Sequence, residues 1–163
     1  IDKKIDADYN LELKSCSTDK IPLCGNGFEN TEALKKYITQ IKKKILPDGF
    51  TSYDAWYLAT TYGVQTDTVL EKYGAIAGKD NYERLIKAEF LFCAEFEMVQ
   101  NPLDFFIRRT GRLYFDIESI SSLMDTVLLE YQRLFQVDDA IAEGYRNKLE
   151  KVIKEHSGFA NKT

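Results

Sequence analysis

Apolar positions recur along most of this chain at intervals of three and four, the spacing that lines them up on one face of an α-helix. Leu34, Ile38, Ile41 and Ile45 form the first stripe, with Tyr37 on its margin, and predict a helix from about Thr31 to Leu46. Pro47-Asp48-Gly49 ends it. Thr51 or Ser52 caps a second helix with Asp54 in its first turn, and Ala55, Leu58, Ala59 and Tyr62 run along one side. Gly63 is placed for a left-handed C′ position. Thr66 is then read as the cap of a shorter helix, Asp67 to Tyr73, followed by a loop from Gly74 to Asp80.

The run Phe90–Met98 carries two periods at once. Phe90, Phe92, Ala94, Phe96 and Met98 alternate as a strand would, whereas Leu85, Ala88, Phe92, Phe96 and Val99 make a helical stripe. Helical surroundings decide for a helix. A better-defined start follows: Asn101 as N-cap, Pro102 at the first helical position and Asp104 near the positive end of the dipole, with Gly111 ending or bending the element. Two long helices close the chain. One carries Ile117, Ile120, Met124, Val127, Leu128, Tyr131 and Phe135; the other begins at Asp138 or Asp139, carries Ile141, Tyr145, Leu149, Val152 and Ile153, and is closed by Gly158.

Residues 1–28 show no sustained period and contain the turn-forming PLCGNG at Pro22–Gly27, with a short strand as a candidate at Leu11–Lys14. The expected fold is all-α: a compact bundle of about five to seven helices with an irregular N-terminal arm. No repeat of solenoid length is present.

Composition narrows the function classes. With 163 residues and 44% hydrophobic content, the chain can bury one real core. No run approaches the roughly 20 apolar residues of a membrane span, and the opening IDKKIDADYN lacks the apolar middle of a signal peptide. A net charge of −4 gives no global attraction to nucleic acid. Three cysteines, Cys16, Cys24 and Cys93, together with a single histidine, His156, offer neither a close pair nor a metal set; they point to a reduced, cytoplasmic protein. The lysines at 35, 36, 42, 43 and 44 are a candidate contact for the inner face of a membrane. A solvated helix end, with cations at the negative pole of the dipole, accounts for them more simply.

The densest chemistry lies in Tyr82–Phe115, where charges sit among aromatics and are costly unless paired. Glu89, Glu95 and Glu97 do not share one helical face, and they read best as partners for Arg84, Arg108, Arg109 and Arg112. Asp104 and Arg108, four apart, can pair along one helix, while Arg109 and Arg112, three apart, can either bind neighbouring carboxylates or clamp an anion together. The expected constellation is a buried or interfacial charge network of Glu89, Glu97, Asp104, Arg108, Arg109 and Arg112. On that expectation, Arg109→Ala costs about 3 kcal/mol, provided its partner carboxylate stays buried.

Blocks in fixed order identify a relationship. Lys14–Thr18 (KSCST) precedes Ile21–Leu23 (IPL), then Tyr57–Gly63 (YLATTYG), then Ala88–Phe90 (AEF) with Glu97 downstream. Last comes Asp104–Thr110 (DFFIRRT), leading into Leu113–Phe115 (LYF). Over nearly its whole length the chain resembles the C-terminal helical domain of the FAD-dependent glycerol-3-phosphate dehydrogenases and α-glycerophosphate oxidases, and the RRTG-x-LYF form is nearest the oxidase-like branch. The resemblance implies that the flavin site and the substrate-oxidising residues lie in a preceding portion opened by a glycine-rich dinucleotide fingerprint. No such motif occurs in this sequence, so no catalytic, FAD-binding or substrate-binding residue is carried over, and no cofactor is expected on the chain itself. Residues 1–28 are then a linker arm after a flavin domain, residues 29–163 the C-terminal domain, and the flavin/substrate domain of the same polypeptide its partner. The missing initiator methionine agrees with a piece of a longer protein. The rival expectation is a stand-alone helical interaction module, which an initiator methionine just before Ile1 would favour.

Overall fold

The computed structural model describes residues 2–9, 17–21 and 27–157. Within the arm, Asp2–Tyr9 forms helix α1 and Thr18–Lys20 a single 3-10 turn, so this region is more helical than its sparse apolar pattern predicts. The candidate strand at Leu11–Lys14, Cys16, Cys24, Gly158 and the C-terminal residues lie outside the described residues.

Helix α2 spans Thr31–Ile45, and its N-cap is Asn30, whose Oδ1 accepts the Ala33 N–H at 2.9 Å. A 3-10 turn at Leu46–Asp48 and Gly49 at φ 88° reverse the chain. Helix α3, Ser52–Tyr62, opens with a complete capping box: Thr51 Oγ1 accepts from Asp54 N–H, and Asp54 Oδ2 accepts from Thr51 N–H at 2.6 Å. Gly63 ends it with positive φ but with ψ −137°, outside the left-handed helical region expected of it.

Helix α4 spans Thr66–Ala75 and corrects the expected role of Thr66. This residue is the first of the helix, not its cap, and its side chain is fully buried. The hydroxyl turns back to the carbonyls of Leu58 (2.9 Å) and Gly63 (2.8 Å), tying the start of α4 to the end of α3. Thr66→Val keeps the shape and removes that donor. Its expected cost is about 1–3 kcal/mol, read as a lower urea midpoint with unchanged m-value.

Helix α5, Asn81–Phe96, settles the Phe90–Met98 ambiguity for helix, with Asp80 as N-cap and Met98 at φ 56° just beyond its end. It buries more than the expected stripe. Leu85, Ile86, Ala88, Phe90, Phe92 and Cys93 all face core, because α4 packs on one side of it and α8 on another. Phe96, expected in the stripe, is half-exposed. A short turn α6, Pro102–Asp104, capped by Asn101 Oδ1 on Asp104 N–H at 3.0 Å, runs directly into a π-helical turn, Phe105–Arg109. Helix α7 is Arg112–Phe115, α8 is Ile117–Phe135, and α9 is Asp139–Ser157, capped by Asp138.

Consecutive helices pair, α2 with α3, α4 with α5 and α8 with α9, and the α5–α8 contact joins the halves around one core. On α9 it is Ala142 and Leu149 that are buried, whereas Ile141 points outward. Among the described residues all regular structure is helical, and no helix is long and apolar enough to cross a membrane.

Candidate functional site

The π-turn sets the geometry of the arginine motif. An extra residue in one helical turn produces an i→i+5 bond, from Thr110 N–H to Phe105 O at 3.0 Å, reinforced by Thr110 Oγ1 donating to the same carbonyl. The widened turn lets the adjacent Phe105 and Phe106 both point into the core, while Arg108 and Arg109 are carried toward the surface. Gly111 at φ 64° then reverses the backbone into α7, which presents Arg112 inward toward α5. A Cβ on Gly111 would lie 3.2 Å from the Phe115 ring as well as in a left-handed conformation. Gly111→Ala is expected to lower stability by about 1–2 kcal/mol, measurable as a fall in the urea midpoint.

Glu89, only 1% exposed, is the centre of the cluster. Its Oε1 accepts from Tyr57 Oη and Tyr62 Oη, each at 2.8 Å, and its Oε2 accepts from Arg112 Nη2 at 3.3 Å. The Arg112 guanidinium also lies over the Tyr57 ring, 5.2 Å from its centroid, and its Nη1 donates to Asp116 and to Ser119 Oγ. Burial is the largest single influence and opposes the Arg112 charge, but Glu89, Tyr57, Tyr62 and Asp116 together outweigh it and raise the pKa. Both phenols are pushed well above 10.0, by burial first and then by the Glu89 charge.

A raised phenol pKa in the folded state means that the unfolded chain loses its proton first. Stability from Tyr57 and Tyr62 is therefore complete below about pH 10 and is lost as pH rises from there toward the folded values. Urea midpoints measured from pH 8 to 11 should fall above pH 10, and Tyr62→Phe should flatten that fall.

The expected six-residue network divides into separate pieces. Glu89 and Arg112 are brought together. Asp104 pairs with Arg108 at 3.2 Å, and Arg109 Nε stands 4.0 Å from Asp104 Oδ2 without a hydrogen bond. Glu97, at the C-cap of α5, instead faces the Cys93 thiol, whose pKa is raised by burial and then by the Glu97 charge. Two other expected pairings go elsewhere. Glu95 meets Lys72, and Arg84 donates to the carbonyls of Tyr73 and Ile76 at the end of α4 while stacking on the Tyr73 ring. Tyr57, Tyr62 and Asp116 are site residues that the sequence reading did not single out. A tyrosine on the buried side of α3 and an acidic residue inside an apolar run of α5 were the available signals.

Beside this cluster runs a groove of about 1250 Å³. Tyr53, Trp56 and Tyr57 of α3 form one wall, and Arg109, Tyr114 and Phe115 the other. Thr60, Ser119 and Ser122 add hydroxyls. No group of three or more metal-ligating side chains occurs among the described residues. The arrangement is a buried acid held by two phenols and a guanidinium, and it offers a hydrogen-bonded clasp.

Comparison with known proteins adds an independent finding. Residues 16–141 match the sequence model of a family described as the C-terminal domain of alpha-glycerophosphate oxidase. The aerobic glycerol-3-phosphate dehydrogenase of Bacillus subtilis (strain 168) is 33% identical over 85% of this chain, and that of Staphylococcus aureus (strain USA300) 26% identical over 95%. The chain spans only 25% and 28% of the lengths of those two relatives. Among solved structures, the glycerol-3-phosphate dehydrogenase from Bacillus halodurans, complexed with FAD, superposes with a TM-score of 0.78 at 26% identity, over 93% of this chain and 31% of that one.

Proposed function

The chain belongs to the family of the C-terminal domain of alpha-glycerophosphate oxidase, and on that premise we propose that it is the helical domain of an FAD-dependent glycerol-3-phosphate dehydrogenase or oxidase. The parent protein oxidises sn-glycerol 3-phosphate to dihydroxyacetone phosphate, and this domain serves it structurally, docked on the portion that holds the flavin. The observation that carries the reading is the superposition of nearly the whole bundle on about a third of an FAD-bound glycerol-3-phosphate dehydrogenase.

The residues of this chain do not fit the flavin itself. The sequence has no GxGxxG, and the described residues contain no strand whose carboxyl end would present such a loop to a pyrophosphate. The flavin supplies the hydride acceptor elsewhere in the parent; here Glu89, Tyr57, Tyr62 and Arg112 hold α3, α5 and α7 together.

The purified 163-residue chain is expected to be colourless and inactive, and the full-length protein to show a flavin absorption band and turn over sn-glycerol 3-phosphate. Flavin absorbance and turnover in the short chain would overturn this division of labour. The reading also places the parent in the cytoplasm, with the lysines at 35, 36, 42, 43 and 44 as a candidate contact for the inner face of the membrane. Co-sedimentation of the full-length protein with anionic vesicles, weakening as salt rises, is the expected result, and no binding at low salt would remove the membrane contact.

A further inference from the structure

The groove between α3 and α7 combines features that select its occupant. Its volume of about 1250 Å³ exceeds the roughly 300–1,000 Å³ of sites shaped for small ligands. Its arginines do not make it a general anion trap. Arg108, Arg109 and Arg112 stand against Asp104, Glu89 and Asp116, so the positive charges are matched locally. What remains unmatched is apolar. Phe115 is 88% exposed, Tyr114 64% and Trp56 48%, all lining one concavity. Aromatic residues with an arginine between them make up the side-chain set that carries most energy in protein interfaces. Arg109 completes the picture, because its side chain is 33% exposed, lines the groove and makes no hydrogen bond among the described residues.

Concavity also decides against a second copy of the same surface. A two-fold contact brings a patch onto itself, and two hollows facing each other leave both unfilled. A convex segment of different sequence is required. This chain spans only 25% and 28% of the lengths of the two relatives, so most of such a polypeptide lies outside it.

We propose that the groove is the seat of a segment from the remaining portion of its own polypeptide: a convex stretch with apolar side chains for the Trp56–Phe115 hollow and an acceptor oxygen for Arg109. This rests on the multidomain reading above and names the surface through which the domain docks. Burying these aromatics explains why α7, only four residues long, ends in the consecutive exposed pair Tyr114-Phe115.

The test uses the full-length protein with a photo-crosslinking benzoylphenylalanine introduced at position 115, and separately at Leu129 on α8, which is also exposed but lies outside the groove lining. Irradiation should give, from position 115, an intrachain adduct with a peptide outside these 163 residues, in at least tenfold higher yield than from position 129. Adducts to a second copy or to lipid, or equal yields from the two positions, would overturn the proposal. Flavin absorbance and glycerol-3-phosphate turnover are read on the same samples. Their absence alongside the expected adduct would sink the enzymatic reading and leave the docking surface standing; their presence without the adduct would do the reverse.

Discussion

Arg112→Ala should cost about 3–5 kcal/mol of folding stability, the range for removing one partner of a buried ion pair. The cause is what it leaves behind. Glu89, on α5, stays 1% exposed, keeps its two phenol donors and loses the only cation that hydrogen-bonds it among the described residues. Equilibrium urea unfolding checks the magnitude. The double variant Glu89→Leu with Arg112→Met provides the control, since replacing both charges by apolar groups removes the stranded carboxylate. It should recover much of the loss, though not all, because Tyr57 and Tyr62 lose their acceptor. A double variant as unstable as Arg112→Ala would show that packing of the guanidinium stem, and not the stranded charge, was responsible. Arg109→Ala is expected to matter far less for folding than the sequence pattern suggested. Its side chain is 33% exposed and 4.0 Å from its nearest carboxylate, which puts the pair in the class of surface ion pairs worth roughly 0–1 kcal/mol.

Phe90→Ala should be comparably severe, at about 3–5 kcal/mol. Phe90 is completely buried and meets the Phe105 ring edge-on, with centroids 5.3 Å apart. Phe105 in turn meets Phe106 in the same way, so the cavity would open where α5, the π-turn and the core converge. Phe96→Ala is the matched comparison on the same helix. Phe96 is 51% exposed and rests on Phe92 with Lys72 over its face, and its loss should cost about 1 kcal/mol or less. Thermal or urea denaturation of the two variants side by side tests the assignment of α5. Equal losses would mean that Phe90 and Phe96 share one buried face, contrary to the structure.

The contrast between these phenylalanines shows where a periodic reading stops. The pattern over Phe90–Met98 fitted strand and helix alike until its helical surroundings decided for helix, and the stripe it then assigned was a single one, whereas the helix buries two sides. Phe90 lies off the stripe and is buried because α4 and α8 both pack on α5; Phe96 lies on it and is exposed because the helix ends there, at Glu97. Tertiary neighbours, not spacing, set the burial of each ring. The π-turn was equally hidden. Asn101-Pro102-Leu103-Asp104 announced a helix start correctly, but the register change at Phe105–Arg109 depends on Thr110 bonding the Phe105 carbonyl while two adjacent phenylalanines enter the core.

The sequence by itself determined the helix class, most boundaries, and the family to which the blocks from Lys14 to Phe115 belong. Caps, prolines and apolar periods act over a turn or two of chain, so Thr51, Asn101, Pro47 and Gly49 set their boundaries with little help from elsewhere. Arg112 pairing with Asp116 was also within reach, since four residues on a helix bring side chains together. Only the tertiary structure decided which carboxylate meets which arginine across the core. Glu89 lies 32 residues from Tyr57 and 23 from Arg112 in sequence, and its neighbour at Glu97 turns to Cys93 instead. A buried charge takes its partner from whatever helix packing brings within about 3 Å, and the sequence alone does not show that distance.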